Sequence, residues 1–424
     1  MICIFIIQFI FIFSNIQFQF KRKLLKDLTS DNIIQNLIIN NMNIIFKIGT
    51  PQQEIPVTIK LQHYPFYIIS NQTKETQLKL FQEKLSSSFK ILKHYDCFHV
   101  EDEIFVTDLS TDNMQIDKIN LDNFTFFLVT ELNKVKEVYE TGNIGLKISF
   151  ANYYTYEGIS FINLLKQKNL INSYSFSLIF DKDDNGELSI GELPHEYNKK
   201  YKKDDFTFCN AINVGSESQW AFKFDEIKYK DYNFKEDKYF WLYPELGVII
   251  SSSYFRDYLN ESYFKDFISK NICFQKKYKN QIEFTEFYYI YCKSSLDTQI
   301  FSKLILYHRE MNYTFEIDLK DLFYNLNDMK YFLILFPVQH SYDWKLGLPF
   351  FKKYNLYFDL DKKIIGIYKN IKTFSFNFVI FLVIILIAII IGMGIFIYHI
   401  LKKKTRKIRA NELNDDFEYI AENN

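Results

Sequence analysis

Three sets of residues in this 424-residue chain have types and spacings that could do chemistry. The first is Asp181-Lys182-Asp183-Asp184-Asn185-Gly186, closing at Glu192. Oxygen donors from Asp181, Asp183, Asn185, the Glu187 carbonyl, Ser189 and Glu192, with Gly186 at the sharp turn, match the spacing of a helix-flanked calcium loop. The flanks oppose that reading: residues 174–180 alternate like a strand, and Pro194 interrupts any helix on the far side. The segment is therefore expected to be a β-turn, with no metal and no cofactor. The second set is the cysteines, Cys3, Cys97, Cys209, Cys273 and Cys292. No CxxC pair or His/Cys cluster suggests zinc. Cys273 and Cys292 would close a short loop and are the expected disulfide, while the pairing of Cys97 and Cys209 stays open. The third set is four Asn-x-Ser/Thr sequons at Asn71, Asn123, Asn260 and Asn312. These would be glycosylation acceptors in a secreted or lumenal segment, although Asn is abundant enough here for several to arise by chance.

The elements that must hold these residues are readable from composition and pattern. Lys+Arg and Asp+Glu are both 51, so the net charge is zero and an electrostatic nucleic-acid binder is not expected. Hydrophobic residues at 48% and charged residues at 24% exclude a disordered chain. Residues 1–20 begin with an apolar run of signal-peptide length. Residues 21–42 form an N-terminal segment. Residues 373–401 contain no Asp, Glu, Lys or Arg, exceed the length needed to cross a bilayer, and are followed by Lys402–Arg409. The positive-inside rule then places residues 402–424 in the cytosol. The expected layout is a single-pass type I membrane protein with a lumenal or extracellular ectodomain. Within that ectodomain, short apolar runs rich in β-branched and aromatic residues recur between Asn, Asp, Gly and Lys clusters: 43–48, 55–59, 124–129, 174–180, 220–224, 355–359 and 364–368. Helical periodicity is confined to short stretches at 161–167 and 254–258. The expected fold class is all-β in two lobes, residues 43–200 and 201–371.

Several motifs then line up. Gly49-Thr50-Pro51-Gln52-Gln53 lies between two apolar strands. Gly142-Asn143-Ile144-Gly145-Leu146, the helix-like stretch from Phe161, Gly186-Glu187-Leu188-Ser189-Ile190-Gly191, Trp220-Ala221-Phe222, residues 344–351 (WKLGLPFF) and Tyr354–Asp359 come after it in order. Together they resemble the pepsin-like aspartic peptidases over roughly residues 43–369. The resemblance implies two β-lobes around a cleft, each supplying one Asp from a tight Asp-Thr-Gly loop. The paired carboxylates would share a proton and activate water against a peptide bond.

The residues at those loops depart from the pattern. Counting without gaps from Gly49 places the first Asp-Thr-Gly on Lys60-Leu61-Gln62, followed by His63 and Tyr64. The second aligns with Glu245-Leu246-Gly247, ahead of the apolar run Val248-Ile249-Ile250. Lys60 and Glu245 would thus replace the two aspartates across the cleft floor. The flap region, residues 102–117, has no Gly or Tyr. The expectation is a catalytically inactive pseudoprotease binding a peptide or protein in the inter-lobe cleft. Alternatives are an active aspartic-type endopeptidase using Glu245, and a structural surface glycoprotein.

Overall fold

The computed structural model describes residues 15–23, 33–39, 41–62, 65–73, 79–100, 103–116, 118–132, 141–147, 160–181, 184–199, 201–214, 217–235, 239–279, 286–369, 385, 387, 389–398 and 400–402. The chain divides into two compact units, Met1–Lys369 and Asn370–Asn424. Of the residues singled out above, Cys3, His63, Tyr64, Lys182 and Asp183 lie outside the described residues, as do residues 1–14, residues 373–384, 386, 388 and 399 of the expected membrane span, and residues 403–424.

The first unit is built from β-strands. In chain order the elements used below are β1 (Ile16–Lys23), α1 (Ile33–Ile38), β2 (Asn41–Ile48), β3 (Gln53–Lys60), β4 (Tyr67–Ile69), β5 (Lys90–Val100), β6 (Glu103–Ile116), β7 (Ile119–Leu132), β8 (Gly142–Gly145), α2 (Phe161–Gln167), β9 (Ser175–Phe180), β10 (Gly186–Ile190) and β11 (Phe206–Asn210). They continue with β12 (Phe240–Leu242), β13 (Ile249–Ile250), α3 (Ser253–Leu259), β14 (Cys273–Lys279), β15 (Glu286–Lys293), β16 (Ile334–Pro337), β17 (Trp344–Leu346), β18 (Leu356–Asp359) and β19 (Ile364–Tyr368). The alternation that makes these strands is plain in β3, where Ile55, Val57 and Ile59 are buried and Glu54 is exposed.

A 13-stranded sheet runs β11-β19-β18-β9-β10-β1-β2-β3-β8-β4-β7-β6-β5. Strands β11, β18 and β19 belong to the second sequence half, yet β18 pairs with β9 of the first, Phe358 opposite Phe176. The boundary at 200/201 is therefore crossed by one continuous sheet. The second half has its own nine-stranded sheet, containing β12, β17, β13, β16 and β15.

Strand β1 runs across the boundary placed at residue 20. Ile16, Phe18 and Phe20 are buried while Gln17 and Gln19 face solvent. The strand pairs with β10 from Ile16↔Ile190 to Phe20↔Gly186 and with β2 from Lys21↔Asn43 to Lys23↔Asn41. Residues Ile16–Phe20 thus carry the pairing with β10, and Lys21–Lys23 the pairing with β2.

The flap region is also more regular than expected. Strands β5 and β6 form a long antiparallel hairpin, from Lys90↔Thr111 to Val100↔Glu103, with register shifts near Leu92 and at Tyr95/Phe98. Backbone pairing over that length does not need the Gly or Tyr missing from the return strand. In the calcium-like segment, residues 182 and 183 lie outside the described residues, and on either side of them Asp181 N donates to Asn185 O at 2.7 Å. Asn185 N donates to the Asp181 carboxylate at 3.0 Å, and Gly186–Ile190 is a strand paired with β9 on one side and β1 on the other. Asp184 is held by the Arg22 guanidinium and by Lys352 Nζ at 2.5 Å, and Glu192 accepts from Asn172 at 3.2 Å. No cluster of metal-ligating side chains is found among the described residues.

In the second unit, residues 389–398 are helical, with their large apolar side chains exposed. Among the described residues no helix is long and apolar enough to cross a membrane.

Candidate functional site

The two candidate loops sit at equivalent places in a duplicated strand motif. In the first half, β3 runs parallel to β8, β4 runs antiparallel to β8, and β4 runs parallel to β7. In the second, β12 runs parallel to β17, β13 antiparallel to β17, and β13 parallel to β16. Each loop links the two strands that flank the central one.

Register fixes which residues correspond. Asn143 of β8 pairs with Thr58 and with Tyr67. Lys345 of β17 pairs with Trp241 and with Ile250. The spacing between flanking strands is the same in both halves, so Thr58 corresponds to Trp241 and Tyr67 to Ile250. Stepping two residues into each loop, Lys60 corresponds to Tyr243, Leu61 to Pro244 and Gln62 to Glu245. This corrects the alignment made from sequence, which set Glu245 against Lys60. The missed residue is Tyr243. Its signal was the apolar run ending at Ile250, which lies as far beyond Tyr243 as Tyr67 lies beyond Lys60. The Gly in Glu245-Leu246-Gly247 drew the ungapped match off by two.

The first loop leaves β3 at Lys60, whose carbonyl accepts from Leu146 N at 2.9 Å. Lys60 is half-buried, and Leu61 and Gln62 are buried. The Gln62 side chain reaches into the second half of the chain. Its Nε2 donates to Leu242 O at 2.7 Å and to Trp220 O at 3.2 Å. Trp220 returns a bond, its indole Nε1–H donating to Leu146 O at 2.8 Å. A side chain thus occupies the position of the loop's expected Gly and ties the two loops together through buried polar contacts. Asn143, at the centre of the first motif, donates from Nδ2 to Pro65 O at 3.0 Å and so shapes the same loop from beneath.

The second loop turns at Tyr243, whose carbonyl accepts from Leu246 N at 2.9 Å, and whose own N–H donates to Leu346 O at 2.9 Å. Lys345 Nζ lies 4.9 Å from the centre of the Tyr243 ring, a cation–π distance. Leu246 is buried and bridges to Ile39, while Gly247 N donates to Ile38 O at 2.8 Å. Helix α1 lies here because Ile33, Ile34, Leu37 and Ile38 pack on Leu246, Val248, Ile250 and Leu335. A Cβ at residue 247 would stand 2.0 Å from Leu37 O, so close backbone approach explains the retained Gly247. Glu245 is half-buried beside this contact.

Away from the loops, Cys273 and Cys292 form the expected disulfide, joining directly paired positions of β14 and β15. Cys209 is a buried thiol whose pKa burial pushes well up, so it is inert rather than nucleophilic. Cys97 lies in β5. Asn71, Asn123, Asn260 and Asn312 are all exposed.

Fold and motif order together define a mostly β protein of the pepsin type. A profile of the eukaryotic aspartyl protease family matches residues 43–370, and the chain belongs to that family. No curated protein matches the sequence.

Proposed function

We propose that this chain is a membrane-anchored aspartyl protease family member that has lost peptide hydrolysis and binds a peptide or protein between its lobes. The observation that carries the reading is the pair of register-equivalent positions, occupied by Lys60 and Tyr243. Hydrolysis by this family's chemistry needs one carboxylate to take a proton from water and a second to hold one. An ammonium cannot accept that proton. A phenol, with an ordinary pKa of about 10, is not an ionised base in acid. Gln62 adds to the argument, because its amide fills the loop and is committed to Leu242 O and Trp220 O.

Anchoring and orientation rest on separate observations. Residues 373–401 are free of acidic and basic residues and precede Lys402–Arg409. The exposed apolar side chains of residues 389–398 suit contact with lipid. A disulfide and four surface sequons suit a lumenal or extracellular ectodomain. No nucleic-acid partner is part of this reading.

The test is digestion of a denatured protein substrate by the purified ectodomain between about pH 3 and pH 7, where the family's carboxylate pairs titrate. Glu245→Ala and Tyr243→Phe variants run beside it. The expected result is no cleavage, or residual cleavage unchanged by either variant. Cleavage lost in Glu245→Ala would establish the alternative, a hydrolase rebuilt on that carboxylate.

A further inference from the structure

Away from both candidate loops, a cavity of about 160 Å³ lies between α3 with the turn that follows it and the sheet formed by β14, β15 and β16. Arg256, Asp257 and Asn260 line it from the helix side, and Gln275 and Tyr288 from the sheet side. Phe264, Ile290 and Phe336 close its base, but all three are buried, so the surface open to a ligand is mainly polar. Strand pairing fixes the sheet wall. Gln275 stands opposite Ile290 and Lys277 opposite Tyr288, which on its other side stands opposite Phe336. The helix wall contains a π-helical turn, Asn260–Phe264, directly after α3. Such turns recur at functional sites.

The donors at this cavity are not used up by the fold. The side chains of Asn260, Gln275 and Tyr288 have no hydrogen-bond partner among the described residues. Arg256 is clamped in place. Its Nε donates to Asp257 at 2.8 Å, and its Nη1 to Pro337 O at 2.5 Å and to Val338 O at 3.4 Å, which leaves Nη2 for a ligand. Lys277 adds a second cation at the wall, its Nζ 5.5 Å from the Tyr288 ring centre. Against these two stands one carboxylate, Asp257, already paired with Arg256. The site is therefore rich in donors and carries a surplus of positive charge.

We infer that this cavity binds a carboxylate. Its oxygens accept from Arg256 Nη2, Gln275 Nε2 and the Tyr288 hydroxyl, with Asn260 at the mouth. Hydrogen bonds to an ionised acceptor are stronger than neutral ones. The guanidinium is already fixed by the fold, so little side-chain freedom is lost when the ligand arrives. The space exceeds a single water, whose share of liquid volume is about 30 Å³, and admits a carboxylate with a short carbon chain behind it. A free small acid and the C-terminus of a peptide carry this same group.

Asn260 belongs to a sequon, and a glycan there would stand at the mouth. The test therefore uses the full chain in detergent carrying Ser262→Ala, which removes the sequon and leaves Asn260 in place. Saturation-transfer NMR follows acetate, N-acetylglycine and, as a neutral control, N-acetylglycine methyl ester. The expected result is saturable binding of a carboxylate and none of the ester. Gln275→Leu/Tyr288→Phe, which removes two donors to a charged acceptor, should weaken binding at least about tenfold. Lys277→Met, at an exposed position, should weaken it as well, and more at low salt than at high. Acetate bound at least as tightly as N-acetylglycine assigns the site to a free small acid, and tighter N-acetylglycine to a peptide C-terminus. Three outcomes overturn the inference: no saturable carboxylate binding, ester bound as well as acid, or binding unchanged in both variants.

Discussion

At Gln62 an amide stands where the family's loop calls for a glycine, and its hydrogen bonds define what the residue now does. Nε2 donates to two carbonyls of the second half, while Oε1 is buried without a hydrogen-bond partner among the described residues. Removing the amide takes a donor from Leu242 O in a buried setting and leaves Trp220 O with the Leu242 N–H alone. Gln62→Ala should therefore lower unfolding free energy by about 1–3 kcal/mol in denaturant titration. Gln62→Glu should cost more, because a carboxylate would face two carbonyl oxygens with no proton to offer at neutral pH. The same scale governs Lys60 and Tyr243. Neither supplies a carboxylate, so the proposed loss of hydrolysis rests on residue type at fixed backbone positions.

Among the elements, the β14–β15 hairpin depends on its disulfide. Cys273 and Cys292 are 19 residues apart, and opening a loop of that size should reduce stability by about 3 kcal/mol. Thermal unfolding with and without reductant checks this, since Cys209 is unpaired and buried in both states. A second element-scale effect is pH dependence. His308 is buried against Phe222 and Phe224, and burial holds its pKa below the ordinary value despite opposing pull from Glu310 and Asp225. Burial lowers His195 in the same way. With the folded pKa below the unfolded one, the unfolded chain binds more protons in the window between them. Stability then falls as pH drops from about 6.5, the unfolded value, towards the folded one. The melting temperature should accordingly fall between about pH 7 and pH 5, and His308→Gln should flatten the slope.

For the whole molecule, one sheet joins both halves, and β1 is among its interior strands. If a leader is removed, the mature protein keeps Ile16, because Ile16–Phe20 pair with β10 and bury Ile16, Phe18 and Phe20. N-terminal sequencing of secreted ectodomain should return a start at or before Ile16, and a start after Phe20 would contradict the core packing of Phe18 and Phe20. The strand class, the motif order from Gly49 to Asp359, the chain reversal between β9 and β10 and the Cys273–Cys292 pair were all legible in the chain. Each depends on local pattern: period-2 alternation, turn residues, and a short loop between two thiols. Identity at Lys60 was legible too, because the strand before it has no gap. What the tertiary structure alone decided were matters of long-range register. Parallel pairing of β12 with β17 shifted the second site from Glu245 to Tyr243. The reach of Gln62 to Leu242, and the approach of Leu37 O that makes Gly247 necessary, join residues distant in sequence. The buried alternation of β1 became a strand because β10 and β2 stand on either side of it. A strand's side-chain pattern states which face is apolar, but not which other strand will satisfy its backbone. Only the folded sheet supplies that partner, and with it the residue that faces the site.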